Sequence, residues 1–597
     1  MARLSRGLSR KLRLVDVALG RDKADLVVKN GNLLNVFSGR IVEGAGVAVK
    51  DGLIAAVGDV ERAVGQGTRV LNAKGLYLIP GFIDGHVHVE SSLLNLTQFA
   101  RAALPRGTTA AVVDPHEIAN VLGVRGIKLL MKEAEGLPLK VFFEAPSCVP
   151  SARGLETSGA EVTLKDVKRL MRDERVVALG ELMDFQSVLA GRRGSLAKIL
   201  AAEAVGKPVE GHAPGLTGPS LAAYAGAGVW SNHEAASPEE AVEGAEVGLR
   251  IEIREGSTAK NLSALVKGLL GAGVGFRRCM LVSDDRSCVD LSREGHMDYM
   301  VARAVEEGAD PVEAIRMATL NPAEHFKIDG RVGALAPGRI ADVLLVERLE
   351  RPTPSLVIAN GEPVAKGGKM IKEIGGPAYP SYALKTVRLP RGLNEEKFKV
   401  EVEASEGEAS VTAISVLEGR LATRRAVERL PVEGGEVKAD PGRDVVKVAV
   451  VERHGKGGGV GLGFVKGFGL REGALASTVA HDSHNLIVVG VEAPDMLAAA
   501  RELERVGGGL IAVKGRRPLA SLTLRLAGLM SLKPLEEVCA EHEGLREAAE
   551  TLGVKLGNPF LQMSFLTLTS IPEVKITDRG VVDVEEGKII DPVISYG

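Results

Sequence analysis

Two histidines separated by one residue, His86 and His88, are the first side chains in the sequence that point to chemistry. They follow an apolar run at residues 77–83, which predicts a buried strand. Side chains two residues apart leave the same face of an extended backbone. Because imidazole is the commonest metal ligand among side chains, the pair predicts part of a metal site. A motif this short also occurs by chance in polar loops, so other ligands must support it.

Further titratable residues follow a series of apolar runs. We count eight runs with helical stretches between them, at residues 77–83, 109–113, 141–145, 176–179, 208–211, 228–231, 249–253 and 280–283. This alternation predicts a (β/α)₈ barrel, in which reactive groups sit at the carboxyl ends of the strands. The residues after the runs are His86 and His88; Asp114, His116 and Glu117; Glu144 and Ser147; Glu181; His212; His233 and Glu234; Arg254 and Glu255; and Asp284, Asp285 and Arg286.

The distribution of histidine favours one shared site at these strand ends. Seven of the eleven histidines lie in or just beyond the predicted barrel, and five of the seven sit at strand ends. Histidines on solvated helix faces would be scattered instead. A mixed imidazole and carboxylate set suits iron, manganese or zinc. The general order of affinities of divalent metals for such ligands does not tell which of the three is bound.

Composition excludes several other functions. The chain has 597 residues and a net charge of -2, which gives no electrostatic case for nucleic acid or an anionic membrane as partner. Residues 1–13 are basic but lack the apolar stretch of a secretory signal, and no run of about 18 apolar residues predicts a membrane helix. We therefore expect a cytoplasmic protein with a small-molecule substrate. Four scattered cysteines predict neither a disulfide framework nor a Cys-x-x-Cys zinc site.

The flanking regions predict an α/β protein of several domains. Short β-branched runs at residues 24–77, and again after the barrel, indicate a small β domain split in two parts, 1–75 and 331–375. The (β/α)₈ TIM-type barrel, 76–330, is then inserted between these parts. Residues 376–597 predict a C-terminal α/β domain, in which the glycine-rich run 459–463 is interpreted as a loop.

Several motifs carry a family resemblance. Pro-Gly-Phe-Ile-Asp-Gly-His-Val-His (80–88), together with Glu181, His212, His233, Asp284 and the closing Asn-Pro-Ala (321–323), resembles the metal-dependent amidohydrolase superfamily. More narrowly, the chain resembles the bacterial and archaeal adenine deaminases. The motifs are Val-Glu-Ser-Ser (89–92), Asp-Pro-His-Glu-Ile-Ala-Asn-Val (114–121), Gly-Glu-Leu-Met (180–183), Gly-His-Ala-Pro-Gly-Leu (211–216), Ser-Asp-Asp-Arg (283–286) and Ala-His-Asp-Ser-His-Asn (480–485).

The resemblance implies hydrolysis of adenine to hypoxanthine and ammonia, with hydroxide generated at a divalent metal attacking C6. It implies two metals, with manganese or iron favoured and zinc also compatible. His86, His88 and Asp284 are then expected to bind one metal, Glu181 to bridge, and His212 and His233 to bind the second. We also expect a homo-oligomer, with a dimer as the simplest assembly.

The sequence also gives candidates for the proton-transfer roles. Asp284 is expected to accept the proton of the attacking water and pass it to the departing amine. Ring protonation is assigned to Glu117, Asp114 or Glu234, with the segment that also contains His116 ranked first. An Asp-Pro turn is the alternative there. Contacts to substrate or a lid are expected from Glu234, Asp285 and Arg286, and from His481 and His484 of the C-terminal domain.

Two other functions are alternatives to this one. The first is a related amidohydrolase that acts on another nucleobase or opens a cyclic amide; an enzyme that opens a cyclic amide would usually have a metal-bridging lysine on the fourth strand, where this chain has Glu181. A non-catalytic homologue would be expected to lose metal ligands, yet the predicted ligand positions are filled. The zinc deaminases that carry Pro-Cys-x-x-Cys are excluded, because the chain has no Cys-x-x-Cys.

Overall fold

The computed structural model describes residues 2–597; Met1, with which the predicted first segment begins, lies outside the described residues. A helix, Ala2–Ala18, precedes a nine-stranded sheet. The sheet combines strands from both sides of the barrel region. Its members are Leu26–Asn35, Arg40–Lys50, Leu53–Gly58, Arg69–Asn72, Tyr77–Pro80, Val343–Val346, Pro354–Ala359, Glu362–Lys366 and Lys369–Met370. The two groups meet where Tyr77–Pro80 pairs antiparallel with Val343–Val346.

Between these two groups lies a curled set of parallel strands, consistent with a TIM-like barrel. In the described part of the chain the strands are Phe82–Val87, Thr108–Val113, Lys140–Ala145, Val176–Leu182, Val209–Gly211, Ser231–Asn232, Arg250–Arg254 and Cys279–Val282. The first five form one parallel sheet and the last three another. A parallel bridge between Val87 and Asp284 joins the first strand to the end of the last.

The first predicted strand, residues 77–83, is wrong as a single element. Tyr77–Pro80 belongs to the nine-stranded sheet, and Phe82–Val87 is the first strand of the barrel. The chain changes sheet at Gly81, whose N–H donates to Asp342 O. Apolar runs report burial but not which sheet buries them, so the sequence pattern merged the two strands. His86 therefore lies inside the barrel strand Phe82–Val87 and not after its end. Glu181 also lies inside a strand, Val176–Leu182.

Helices cover the outside of the parallel strands. Their apolar faces pack on the strands, and several begin with a side-chain cap, as Thr163 does with Asp166. The helices are Leu96–Ala103, His116–Leu122, Val124–Glu133, Leu164–Leu170, Phe185–Leu189, Arg193–Glu203, Gly218–Gly226, Pro238–Glu246, Leu262–Gly271, Cys288–Arg293, Met297–Glu306, Pro311–Met317 and Leu320–His325.

The C-terminal region has mixed α/β structure around an eleven-stranded sheet within the described residues. Its longer strands are Glu406–Val416, Thr423–Glu433, Val445–Val451, Val460–Lys466, Ala474–Ser477, Leu486–Gly490, Gly509–Lys514 and Arg517–Thr523. Helices Ala493–Val506, Leu535–Thr551 and Pro559–Ser564 pack against it. The glycine-rich run 459–463 is not wholly a loop, because Val460–Lys466 is a strand. Gly461 is needed there, since a Cβ would lie 1.9 Å from Thr577 O.

Two absences are also clear for residues 2–597. No helix among them is long and apolar enough to cross a membrane. The cysteines Cys148, Cys279, Cys288 and Cys539 are free thiols.

Candidate metal centre

The two ends of the parallel strand set are tied together at the His-x-His motif. The Asp284 N–H donates to His86 O at 3.0 Å, and the His88 N–H donates to Asp284 O at 3.2 Å. Asp284 adopts a left-handed backbone with φ of 53°, which is uncommon for a residue with a side chain. This backbone exchange fixes all three side chains relative to one another.

His86, His88, Asp284 and Glu181 converge in a first donor group. His86 Nε2 lies 3.1 Å from His88 Nε2. His88 Nε2 in turn lies 3.1 Å from Asp284 Oδ1 and 3.2 Å from Glu181 Oε1. These atoms come from the first, fourth and eighth strands, as the strand-end pattern predicts.

A second donor group forms on the other oxygen of Glu181. His212 Nδ1 lies 2.6 Å from Glu181 Oε2, and His233 Nε2 lies 3.1 Å from the same oxygen. The two imidazole nitrogens are 3.3 Å apart. Glu181 therefore presents one carboxylate oxygen to each group, which is the arrangement needed to bridge two cations.

The donor set fits divalent metal ions. Donor atoms of His86, His88 and Glu181 lie within 4.8 Å of one another, and so do those of Glu181, His212 and His233. All of these side chains are buried. Burial and the neighbouring His233 lower the pKa of His86 to about 4, so its ring is neutral and has a lone pair for a cation. Imidazole and carboxylate together suit iron, manganese or zinc.

Two buried glutamates face the outer ring nitrogens of His86 and His233. Glu144 Oε2 is 3.5 Å from His86 Nδ1, and Glu252 Oε2 is 3.3 Å from His233 Nδ1. A carboxylate on the far ring nitrogen fixes the orientation of a ligand histidine. Sequence reasoning named Glu144 without a role and missed Glu252. The signal for Glu252 was the alternation of charged and isoleucine residues in Arg250–Arg254, which is unusual for a buried strand.

Arg254 is a further residue to which sequence reasoning gave no role, although it was noted at a strand end. Its guanidinium donates to Glu234 Oε1 at 2.6 Å, to Glu234 Oε2 at 3.1 Å and to Asp284 Oδ2 at 2.8 Å. Glu234 is thereby held near the second donor group, with Oε1 3.5 Å from His233 Nε2. The arginine leaves Asp284 Oδ1 facing the first group.

The two residues after Asp284 lie in different surroundings. Asp285 accepts a hydrogen bond from the Ser91 hydroxyl near the same end of the strands. Arg286 does not join the donor groups. Its side chain donates to Glu294 Oε2 at 2.7 Å and to Glu255 O at 3.2 Å. Arg286 therefore stabilises the surrounding loops and does not face the donor groups. Its position in the motif could not predict this, because a long side chain can point in several directions.

Asp114 and His116 are placed next to Glu181. The Asp114 carboxylate accepts the N–H of His116 at 3.1 Å and that of Glu181 at 3.2 Å. Gly180 permits this approach, since a Cβ there would lie 2.3 Å from Asp114 Oδ2. His116 Nδ1 lies 3.4 Å from Glu181 Oε1. These hydrogen bonds hold the Asp114 carboxylate against the backbone of His116 and Glu181.

Glu117 pairs with two histidines of the C-terminal region, His481 and His484. His481 Nδ1 is 2.5 Å from Glu117 Oε1, and His484 Nε2 contacts Oε2. His484 Nδ1 accepts the N–H of Ala480 at 3.1 Å, so the ring proton is on Nε2 and is donated to Glu117. This tautomer leaves no lone pair on His484 Nε2 for a metal. Glu117, His481 and His484 therefore form a hydrogen-bonded set rather than a third cation site.

The loop that contains both histidines, residues 480–485, covers the strand ends. Arg453, fully buried, donates to the carbonyl oxygens of His484, Ala527 and Thr478. On the barrel side, Asn485 Nδ2 donates to Thr157 O at 2.8 Å. The donor groups described above are thus enclosed between the strand ends and the C-terminal region.

Comparison with protein families gives two matches. The amidohydrolase family matches residues 77–364, and the adenine deaminase C-terminal domain matches residues 420–588. Together they cover the parallel strands and most of the C-terminal region.

Curated relatives match almost the whole chain. It is 45% identical over 579 residues to "Adenine deaminase" from Moorella thermoacetica, covering 97% of each chain. It is 43% identical to "Adenine deaminase 3" from Rhizobium meliloti, covering 96% of each chain. It is 45% identical to "Adenine deaminase" from Rubrobacter xylanophilus, again covering 96% of each.

Solved structures are more distant. A β-aspartyl dipeptidase from Fervidobacterium islandicum AW-1, in complex with a β-Asp-Leu dipeptide, is 18% identical with a TM-score of 0.44. The match covers 59% of this chain and 99% of that one. Molinate hydrolase is 16% identical with a TM-score of 0.42, covering 57% and 95%.

Proposed function

The chain belongs to the adenine deaminase family of the amidohydrolases, and on this premise we propose that it hydrolyses adenine to hypoxanthine and ammonia. The resemblance inferred from the sequence motifs is confirmed by these relatives. The observation that carries the proposal in this chain is Glu181, whose two oxygens face separate imidazole groups.

We assign the metal ligands from that geometry. His86, His88 and Asp284 would hold one divalent cation, His212 and His233 a second, and Glu181 would bridge. When bound, such cations supply Lewis-acid chemistry that makes water a far stronger acid near neutral pH. Manganese or iron is favoured over zinc on the family resemblance alone.

Asp284 is the proposed base for the attacking water. Arg254 donates to Asp284 Oδ2, so Oδ1 is the oxygen that faces the first donor group, and its second lone pair can accept a proton there. The same carboxylic acid can then give that proton to the amine at C6 as the bond to nitrogen breaks. Burial raises the pKa of Asp284, but the hydrogen bond with His88 and the charge of Arg254 lower it well below its usual range, so the group is an ionised carboxylate that can accept a proton.

Ring protonation is assigned to the set around Glu117. Of the three predicted candidates, Glu234 accepts hydrogen bonds from Arg254, and Asp114 accepts hydrogen bonds from two backbone N–H groups. Glu117 is instead surrounded by proton-bearing imidazoles, with His116 Nε2 3.4 Å from its Oε1. We place the proton for the purine ring within this set.

The domain division also remains a proposal. The strand order supports a barrel inserted in a two-part β domain, 1–80 and 331–375, followed by a C-terminal domain, 376–597. The first boundary moves from residue 75 to residue 80, because Tyr77–Pro80 lies in the small sheet.

The test is ammonia release from adenine, cytosine, guanine and adenosine by protein loaded with Mn²⁺. We expect release from adenine, its loss after chelation, and its return when metal is added back. A protein that binds metal tightly but acts on none of the four bases or nucleosides would overturn the proposal. Activity on adenosine alone would move it to nucleosides.

A further inference from the structure

His481 brings a buried ring nitrogen with no partner to the neighbourhood of the metal centre. Within residues 2–597, His481 Nε2 has no hydrogen-bond partner, and the side chain is only 3% exposed. Its other nitrogen, Nδ1, lies 2.5 Å from Glu117 Oε1 and therefore carries a proton toward that carboxylate. Leaving a buried polar group unpaired is unfavourable, so such groups usually have a partner when the protein works.

The orientation of this ring is fixed by stacking and by hydrogen bonds of its own main chain. The ring stacks on Phe565 with centroids 5.2 Å apart and planes inclined by 19°. The main chain of His481 donates to Ser564 O at 3.1 Å and accepts from Thr567 Oγ1 at 2.7 Å. Nε2 is therefore held in one direction, as a binding group must be.

His481 is linked to the bridging glutamate through three contacts. His116 lies 3.4 Å from Glu181 Oε1 through one ring nitrogen and 3.4 Å from Glu117 Oε1 through the other. Glu117 then contacts His481. His481 Nδ1 thus reaches, from the C-terminal region, the residues beside the candidate metal centre, and the unpaired Nε2 lies on the other edge of the same ring.

We propose that His481 binds the purine directly, by donating a hydrogen bond from Nε2 to an unprotonated ring nitrogen, with Glu117 as its anchor. This inference deepens the proposed function and rests on it. Adenine offers several ring nitrogens that accept hydrogen bonds, and a fixed N–H is the complementary group. Burial lowers the pKa of His481, but the Glu117 carboxylate raises it to about 9, so Nε2 carries a proton near neutral pH.

Two substitutions separate binding from a merely structural role. In His481→Asn the amide takes the place of Nδ1 and keeps the bond to Glu117, but nothing replaces Nε2. In His481→Gln the amide reaches the place of Nε2 and the bond to Glu117 is lost. We expect His481→Asn to lower kcat/KM for adenine by about 10–100-fold and His481→Gln by less. If His481 only anchors Glu117, the order of the two variants will be reversed.

Adenine analogues identify the contacted nitrogen. Inhibition constants of 1-deaza-, 3-deaza- and 7-deazaadenine are measured with the unaltered enzyme and with His481→Asn. The analogue that lacks the contacted nitrogen should bind more weakly to the unaltered enzyme but show no such extra loss with the variant. Metal content and circular dichroism check that both variants are folded and loaded.

Each outcome has one meaning. An enzyme that deaminates adenine equally well with His481→Asn overturns this inference and leaves the proposed function intact. Equal losses in both variants, with an unchanged analogue pattern, overturn it as well. Failure of the unaltered enzyme to act on adenine overturns the proposed function itself.

Discussion

His86 and His481 are both fully buried, yet their surroundings shift their pKa values in opposite directions. Burial and the adjacent imidazoles of His233 and His88 lower the pKa of His86 to about 4. Burial acts the same way on His481, but the Glu117 carboxylate outweighs it and raises that pKa to about 9. A neutral imidazole suits a cation, and a protonated imidazole suits a hydrogen-bond acceptor. The same residue type is therefore prepared for two different kinds of contact within one enclosed site.

The two histidines are also held by different means. His86 lies inside a strand, and its carbonyl accepts the Asp284 N–H across the parallel set. The loop of His481 has no ladder of its own and depends on Arg453 and on side chains from distant segments. We infer that the strand-end donors are organised by the sheet, whereas the loop is organised by contacts that single substitutions can remove. Four predictions test this comparison.

Removing the bridging charge should have the largest effect. Glu181→Gln replaces an anionic ligand with an amide, and we expect bound metal to fall together with activity, by about 1,000-fold or more in kcat/KM. Metal analysis after dialysis and ammonia release measure the two losses. Glu135→Gln, at an exposed helix end, is the matched control. Full occupancy and full rate in Glu181→Gln would refute the bridge.

A smaller loss of metal affinity is expected from a substitution behind the proposed ligand His233. Glu252→Gln removes the carboxylate that faces His233 Nδ1 at 3.3 Å, and we expect metal affinity to weaken by about 10–100-fold. Competition with a chelator of known affinity measures it. Unaltered affinity would show that the strand alone orients His233.

Loosening the loop of residues 480–485 should lower activity without releasing metal. Arg453→Met leaves the carbonyl oxygens of His484, Ala527 and Thr478 without their donor. We expect kcat/KM to fall by about 10–30-fold, with bound metal unchanged. Limited proteolysis should show faster cleavage near residue 482. A parallel loss of metal would mean that the strand-end donors also need the loop.

The smallest effect concerns pH. The folded pKa of His481 lies above the ordinary value of 6.5, so its pairing with Glu117 stabilises the fold fully below pH 6.5 and loses this effect as pH rises through about 9. The difference in unfolding free energy between the unaltered protein and His481→Asn should therefore shrink across this window, on the order of 1 kcal/mol. Denaturant titrations at pH 6 and pH 9.5 measure it. A constant difference would show that His481 is neutral in the fold.

Much of the barrel was predictable because its signals are local. Apolar runs of strand length, each followed by a titratable residue, placed His86, His88, Glu181, His212, His233 and Asp284 at strand ends, and the structure brings these six together. The exact bounds of the strands were harder to predict from the sequence. Residues 77–83 read as one buried run although two different sheets bury it.

The local sequence pattern was enough to predict the type of chemistry, since it carries both the residue types and their positions near strand ends. Which side chains pair with one another depends on the folded arrangement of the elements. His484 meets Glu117 across 367 positions of sequence, and Arg254 divides its guanidinium between Glu234 and Asp284. Spacing along a chain reports the direction of side chains within one element, but contacts between elements depend on how strands and loops pack. The same limit explains why Arg286 was expected at the site and lies away from it.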